Sequence, residues 1–184
     1  MGSLKKVWWF IWHDDSLLSW VVNIILALII VKFLLYPGLG LAFGTTHPIV
    51  AVVSGSMEHH NLDFDEWWET QGDWYEQNGI GKEEFKLYHF KHGFNKGDIM
   101  ILLGKRTLDT GDVIVFNGNP TPIIHRIVSV SDGNYVTKGD NNHDKDPFRA
   151  NSVLGKAALR VPYLGYIKIW FVDLFWGPLR SLLV

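Results

Sequence analysis

Residues 123–140, which read IIHRIVSVSDGNYVTKGD, decide the fold of this chain. Two runs rich in β-branched residues flank the pair Asp132-Gly133, and such a pair between apolar runs is a strong signal for a tight β-hairpin. His125 lies in the first run, and Asp140 follows the second. The stretch therefore predicts a β-hairpin with reactive side chains beside it.

Short apolar runs of this kind recur over most of the chain after residue 48, with Gly and Asp pairs between them. Short strands separated by turn residues are typical of all-β domains. The predicted strands cover residues 49–53, 98–103, 112–116, 123–130, 135–138 and 157–161. We therefore expect a mainly β fold, with a partly closed antiparallel β-domain.

The N-terminal part of the chain predicts a membrane-spanning helix at residues 17–36. This run of about 20 residues is apolar apart from Lys32 and is long enough to cross a bilayer core. A buried core helix is the alternative, but a helix that is apolar on nearly all faces needs a large protein around it. Tryptophans at the start of the run are typical of a membrane interface: Trp8, Trp9, Trp12 and Trp20. We expect a retained anchor, because a cleaved signal peptide has a shorter apolar run.

Charges on either side of this helix predict its orientation. Lys5 and Lys6 precede it, whereas no Lys or Arg follows it until Lys82. Since Lys and Arg are enriched in cytoplasmic segments, the N-terminus is expected in the cytoplasm. The β-domain is then extracytoplasmic, in a single-pass protein of the cell membrane.

Two further segments depart from the β-pattern. Residues 59–95 are rich in acidic and aromatic side chains and predict an insertion, whose tryptophans either enter the lipid headgroups or pack on the β-domain. Residues 167–184 predict an apolar, membrane-associated C-terminal helix, either interfacial or a short tilted span. The expected organisation is a cytoplasmic N-terminus and anchor at 1–47, a β-domain at 48–166, and this helix.

Composition excludes several functions. The net charge is −2, so no overall positive field is available to bind nucleic acid. The chain has no cysteine, which excludes disulfides, thiolate metal sites and a cysteine nucleophile. His59-His60 and His89-x-x-His92 match no recognised zinc motif and are expected to be solvated, so neither a metal nor a cofactor is predicted.

A serine, a histidine and two aspartates stand beside the predicted strands. Ser56 follows the first strand, and His125 lies in the fourth. Asp140 and Asp146 follow the fifth. A serine hydroxyl needs a base to take its proton, and a neutral imidazole oriented by a carboxylate is such a base. With the Ser56 N–H and the Ser54 hydroxyl as donors for an oxyanion, the combination indicates a serine nucleophile.

The order of these motifs resembles type I signal peptidases, and most closely their archaeal and endoplasmic-reticulum branch. The matching stretches are S-G-S-M-E at 54–58, G-D-x-I-x-F at 111–116, I-I-H-R-I at 123–127 and K-G-D-N-N at 138–142. That branch has histidine where the bacterial branch has lysine, and this chain has His125. The family usually has proline after S-G-S-M-E, whereas this chain has His59.

The resemblance implies a fold of the signal peptidase type and a membrane-bound serine endopeptidase that removes N-terminal signal peptides from exported preproteins. The implied site residues are Ser56 as nucleophile, His125 as general base, Asp140 and Asp146 as supporting acids, and Ser54 as an oxyanion donor. Which aspartate orients the histidine stays open. The implied partners are signal peptides, membrane lipid, and the protein-export channel or accessory subunits, and a eukaryotic chain would lie in the endoplasmic-reticulum membrane. The alternative is a non-catalytic, membrane-anchored subunit whose β-domain binds partner proteins.

Overall fold

The computed structural model describes residues 2–104, 107–118, 121–131, 133–167 and 169–170. The chain divides into two compact units, Met1–Ala42 and Phe43–Val184. The apolar helix predicted for residues 167–184 lies almost wholly outside the described residues, which end at Trp170.

The N-terminal unit is helical. Its elements are α1 (Ser3–His13), α2 (Leu17–Ile30), a π-helical segment (Val31–Leu35) and the start of α3 (Tyr36–Phe43). Ser16 begins α2, because its side-chain oxygen accepts a hydrogen bond from the Ser19 N–H at 3.2 Å. In the described part of the chain, Leu17–Phe43 is the helix long and apolar enough to cross a membrane, which confirms the predicted N-terminal apolar helix. It continues past residue 36 because the π-helical segment accommodates Pro37, whose ring would clash with the Phe33 carbonyl in a regular α-helix.

The second unit is built on an antiparallel sheet. Its strands are β1 (Ile49–Ala51), β2 (Ile99–Leu103), β3 (Val113–Phe116), β4 (Ile123–Ser131), β5 (Asn134–Lys138) and β6 (Val153–Val161). Among the described residues they form one open sheet in the order β1-β2-β6-β3-β4-β5. The mainly antiparallel β fold is therefore confirmed, but the sheet is not closed. Strand β6 begins earlier than predicted. The prediction missed its first residues because Gly155 and Lys156 interrupt the apolar pattern.

The β4–β5 hairpin forms where the sequence predicts it. Ser131, the last residue of β4, pairs with Asn134, the first residue of β5. Gly133, directly before β5, has a φ of +73°, a backbone conformation that glycine adopts without steric cost. The turn thus sets the register of the two strands that lead to the candidate site.

The insertion packs on this hairpin. Its helices are α4 (Phe64–Gln77) and α5 (Lys82–Phe85). Asp63 begins α4 through a capping box with Glu66. Trp67 and Tyr75 of α4 are 1% and 0% exposed, and they share an apolar cluster with Val128 of β4. Of the two locations considered for these aromatic side chains, packing on the β-domain is the one that the structure shows.

Candidate active site

Ser56 lies on a turn that follows β1. The next residue, Met57, is 0% exposed and belongs to the apolar core, so it anchors the turn from inside. Ser56 itself is half-buried, and its Oγ lies 3.2 Å from the Oγ of Ser54, within hydrogen-bond distance. The turn therefore presents two neighbouring hydroxyl groups on a fixed backbone.

A second turn, residues 139–142 after β5, binds the Ser56 backbone. The N–H of Asn141 donates to the Ser56 carbonyl at 2.8 Å, and its side-chain amide donates to the Gly55 carbonyl at 3.2 Å. Glycine is required at position 139, because a Cβ there would lie 2.7 Å from the Ser56 carbonyl oxygen. These contacts hold the two turns tightly against each other.

His125 and Asp146 form a hydrogen-bonded pair. His125 Nδ1 lies 2.7 Å from Asp146 Oδ2, and both side chains are 8% exposed. The Thr137 hydroxyl donates to the same carboxylate oxygen at 2.6 Å, and the Thr137 carbonyl accepts from the Asp146 N–H at 2.7 Å. The carboxylate accepts a hydrogen bond from the Nδ1–H group. In the neutral ring, Nε2 is then the nitrogen that can accept a hydrogen bond or a proton.

The β4–β5 hairpin links His125 to the turn that binds the Ser56 backbone. Arg126, the residue after His125 in β4, pairs with Lys138, and Gly139 follows Lys138 directly along the chain. Gly139 also contacts the Ser56 backbone. No hydrogen bond joins the Ser56 hydroxyl to His125 within the described residues, but the turn after β5 connects the Ser56 backbone to the hairpin that contains His125. Hydrogen bonds of this kind are often long in a site without substrate and shorten when it binds.

Strand geometry separates the two aspartates. Successive side chains of a strand point to opposite faces of the sheet, so His125 and Arg126 face opposite sides. Asp146 contacts His125 on one face, whereas Asp140 contacts Arg126 on the other. The aspartate that the geometry pairs with the histidine is therefore Asp146.

Asp140 is the centre of a buried network. Arg126 donates to both of its carboxylate oxygens, at 2.9 and 2.7 Å. The Tyr75 hydroxyl donates at 3.0 Å, and His59 Nε2 lies 3.2 Å away. Burial alone would raise the pKa of Asp140, but the Arg126 charge and the hydrogen bonds from His59 and Arg126 outweigh it, so the pKa lies well below the usual carboxyl value. Asp140 is thus an ion-paired carboxylate with its oxygens already occupied.

The prediction that His59 is solvated is wrong. Its side chain is 3% exposed, and its ring stacks on Trp67 with ring centres 3.8 Å apart. Burial lowers the pKa of His59, and the neighbouring Asp140 only partly offsets this, so the ring is neutral. The stacking partner, Trp67, belongs to the insertion. The many aromatic side chains of the insertion were the sequence feature that could have indicated a buried His59.

Arg126 is a second residue that sequence reasoning did not assign. Its guanidinium donates to the carbonyls of His89 at 3.0 Å and Phe90 at 2.9 Å, which joins β4 to the insertion. An arginine inside an apolar strand needs a buried partner of opposite charge. Arg126 in β4 and the aspartates after β5 were therefore the sequence features that indicated a buried ion pair.

The remaining histidines of the insertion are solvent-exposed. His60, His89 and His92 are exposed, as predicted for solvated side chains. In the part of the chain that the structure describes, no three His, Asp or Glu side chains converge as metal ligands.

The fold and the site define an antiparallel β-sheet protein with an N-terminal membrane-type helix, a hydrogen-bonded pair of His125 and Asp146, and a turn after the same hairpin that binds the Ser56 backbone. No protein-family model matches the chain. The chain is similar to the signal peptidase complex catalytic subunit SEC11 of Tuber melanosporum, with 29% identity over 88% of this chain and 82% of the relative. The SEC11 subunits of Pyricularia oryzae and Saccharomyces cerevisiae are each 27% identical, over 78% and 77% of this chain and 75% of each relative. These similarities confirm the resemblance to type I signal peptidases of the endoplasmic-reticulum branch that is seen in the motifs.

Proposed function

We propose that this protein is a membrane-bound serine endopeptidase that removes N-terminal signal peptides from exported preproteins. The proposal depends on one observation: Asp146 lies 2.7 Å from His125, and His125 lies on the hairpin whose following turn binds Ser56. The SEC11 relatives are catalytic subunits by name, which favours an enzyme over a non-catalytic partner-binding subunit.

In the proposed reaction, Ser56 Oγ attacks the carbonyl carbon of the scissile bond while His125 Nε2 takes its proton. Asp146 accepts the hydrogen bond from Nδ1 and stabilises the imidazolium that forms. The Ser54 hydroxyl and the Ser56 N–H donate to the oxyanion of the tetrahedral intermediate. His125 then protonates the leaving amine, and the same base activates the water that hydrolyses the acyl-enzyme.

The two aspartates have different roles in this proposal. Asp146 orients His125, because it is the carboxylate that bonds the imidazole. Asp140 supports the site through the fold, because Arg126, Tyr75 and His59 already occupy its oxygens. Asp140 is therefore a positioning residue rather than a member of the proton relay.

Extended peptide substrates fit the edge of the sheet near Ser56. Among the described strands, β1 is an edge strand that pairs with β2 alone. Val53, between β1 and Ser54, is 59% exposed. A substrate segment that adds as a further strand beside β1 would lead its peptide bond towards Ser56, with main-chain hydrogen bonds supplying affinity.

The membrane helix accounts for how enzyme and substrate meet. A signal peptide is an apolar helix in the bilayer, so tethering the protease to the same membrane raises its effective concentration. The lysines before Leu17–Phe43 favour a cytoplasmic N-terminus and an extracytoplasmic β-domain, in the endoplasmic-reticulum membrane of a eukaryote. Membrane lipid, the export channel and accessory subunits are the proposed partners, since the relatives are named as subunits of a complex.

The test is cleavage of a preprotein by the full-length chain, tagged and extracted from its native membranes so that associated subunits remain attached. Ser56→Ala is expected to abolish cleavage while the protein stays membrane-bound. Ser129→Ala, which removes an exposed hydroxyl from β4, is the matched control and keeps wild-type turnover. Retained cleavage by Ser56→Ala would exclude Ser56 as the nucleophile and leave the partner-binding alternative.

A further inference from the structure

Lys138, the last residue of β5, is a buried lysine that the proposed reaction does not use. Its side chain is 0% exposed, and its ammonium lies 4.8 Å from the ring centre of Tyr75 and 5.2 Å from that of Trp74. Aromatic faces attract a cation, but a buried charge also needs hydrogen-bond acceptors. The carbonyl oxygens of Gly139, at 3.1 Å, and Asp140, at 3.5 Å, provide them.

Those two carbonyls belong to the turn that binds Ser56. The N–H of Asn141 donates to the Ser56 carbonyl at 2.8 Å, and the N–H of Asn142 closes the turn by donating to the Gly139 carbonyl at 2.9 Å. The Gly139 carbonyl thus accepts from both the turn and the Lys138 ammonium. The hydrogen bonds of the ammonium are with the turn and not with the nucleophile, so any effect on the reaction acts through position.

We propose that Lys138 is a positioning residue whose ammonium holds the 139–142 turn, and Ser56 with it, in the reactive arrangement. The inference rests on the proposed function, since it concerns the same nucleophile. It also gives the insertion a role, because Trp74 and Tyr75 of α4 cover the ammonium. Hydrogen bonds from a charged donor are about twice as strong as neutral ones, so loss of the proton loosens the turn.

The charged and titratable groups around the ammonium determine the pH at which Lys138 loses its proton. The charged groups that face it are Arg126, Asp140, Asp144 and Asp146. Burial lowers the pKa of Lys138 to about 8, the three carboxylates oppose this shift, and the guanidinium adds to it. The Tyr75 hydroxyl on α4 stays neutral, because burial raises its pKa well above the usual value. The ammonium is therefore present below about pH 8 and lost above it.

The first test compares the pH profiles of kcat for wild type and Lys138→Met, with the preprotein as substrate. Wild-type kcat is expected to fall as the pH rises through about 8. Lys138→Met is expected to lower kcat about tenfold or more at neutral pH, to leave KM within about twofold, and to lack the alkaline decline. Lys145→Met, which removes an exposed ammonium from the same acidic loop, is the control and keeps the wild-type profile.

The second test changes the pKa of Lys138 without removing it. Trp74→Leu deletes a ring that stabilises the charged form, so the alkaline decline is expected at lower pH, whereas Trp74→Phe keeps a ring and shifts it less. Wild-type kcat with an unchanged alkaline decline in Lys138→Met would overturn the inference. If thermal unfolding shows that Lys138→Met does not fold, the inference is overturned instead when kcat of Trp74→Leu declines at the same alkaline pH as wild type. Ser56→Ala separates the two proposals: turnover in that variant refutes the proposed function, whereas its inactivity beside an unaffected Lys138→Met refutes the role of Lys138 alone.

Discussion

Replacing Gly139 with alanine is expected to slow cleavage by displacing Ser56. A Cβ at position 139 would lie 2.7 Å from the Ser56 carbonyl oxygen, and ordinary contact begins near 3.4 Å, so the two backbones must separate by about 0.7 Å. The Asn142 side chain, 2.8 Å from the same Cβ, can rotate away. The Ser56 carbonyl cannot, because the Asn141 N–H holds it at 2.8 Å.

The size of the effect follows from this displacement. A misplacement of about 1 Å at a reacting group costs about a hundredfold in rate, so we expect kcat to fall about ten- to a hundredfold. KM is expected to change little, because the proposed substrate position beside β1 is not altered. Overpacking at this contact is expected to lower the free energy of unfolding by about 1–3 kcal/mol. Single-turnover cleavage of a preprotein measures the first effect, and denaturant unfolding measures the second.

Gly81→Ala is the matched control for this experiment. A Cβ at position 81 meets nothing within 4 Å, and the φ of −79° suits alanine. If Gly139→Ala is folded and cleaves within about twofold of the wild-type rate, then Gly139 does not set the position of Ser56, and the reasoning is refuted.

Three further substitutions test the two aspartates and the histidine. Asp146→Asn is expected to lower kcat by about 10⁴-fold with little change in stability, since it disturbs the imidazole tautomer. Asp140→Asn is expected to lower the free energy of unfolding by about 3–5 kcal/mol, because it leaves the Arg126 charge buried and unpaired. The pKa of Asp140 lies below its unfolded value, so its stabilisation is complete above about pH 4 and is lost as the pH falls; urea unfolding should therefore show a larger acid loss in wild type than in Asp140→Asn. His125→Lys is expected to be inactive in the preprotein assay, because a lysine amine is charged unless its pocket is strongly desolvated.

Each of these predictions has an outcome that contradicts it. If Asp146→Asn and Asp140→Asn lose equal amounts of kcat and of stability, then the two aspartates do not have separate roles on the two faces of the hairpin. An acid loss of stability in Asp140→Asn as large as in wild type would place the titrating group elsewhere. Substantial cleavage by His125→Lys would show that the amine can replace the imidazole as base.

The strands and the membrane-type helix were predictable because their signals are local. Alternating β-branched residues, the Asp132-Gly133 turn and the long apolar run at 17–36 act over a few neighbouring residues, and none depends on a distant partner. The structure departs from these predictions where local signals conflict. Strand β6 includes Gly155, and the helix continues through Pro37, because tertiary pairing and a π-helical segment overcome the local preference of each residue.

Which of Asp140 and Asp146 contacts His125 is evident only in the tertiary structure. The two residues lie six positions apart in one loop, and sequence order alone lets either of them reach His125. The alternation of side chains along β4 directs His125 and Arg126 to opposite faces, and each selects a different aspartate.

The burial of His59 was likewise beyond the sequence, because it depends on Asp140, 81 residues away, and on a ring contact with Trp67. Local patterns determined which segments form strands and helices in this protein. Packing between distant segments decided which side chains meet, because a buried charge needs a partner wherever along the chain that partner lies.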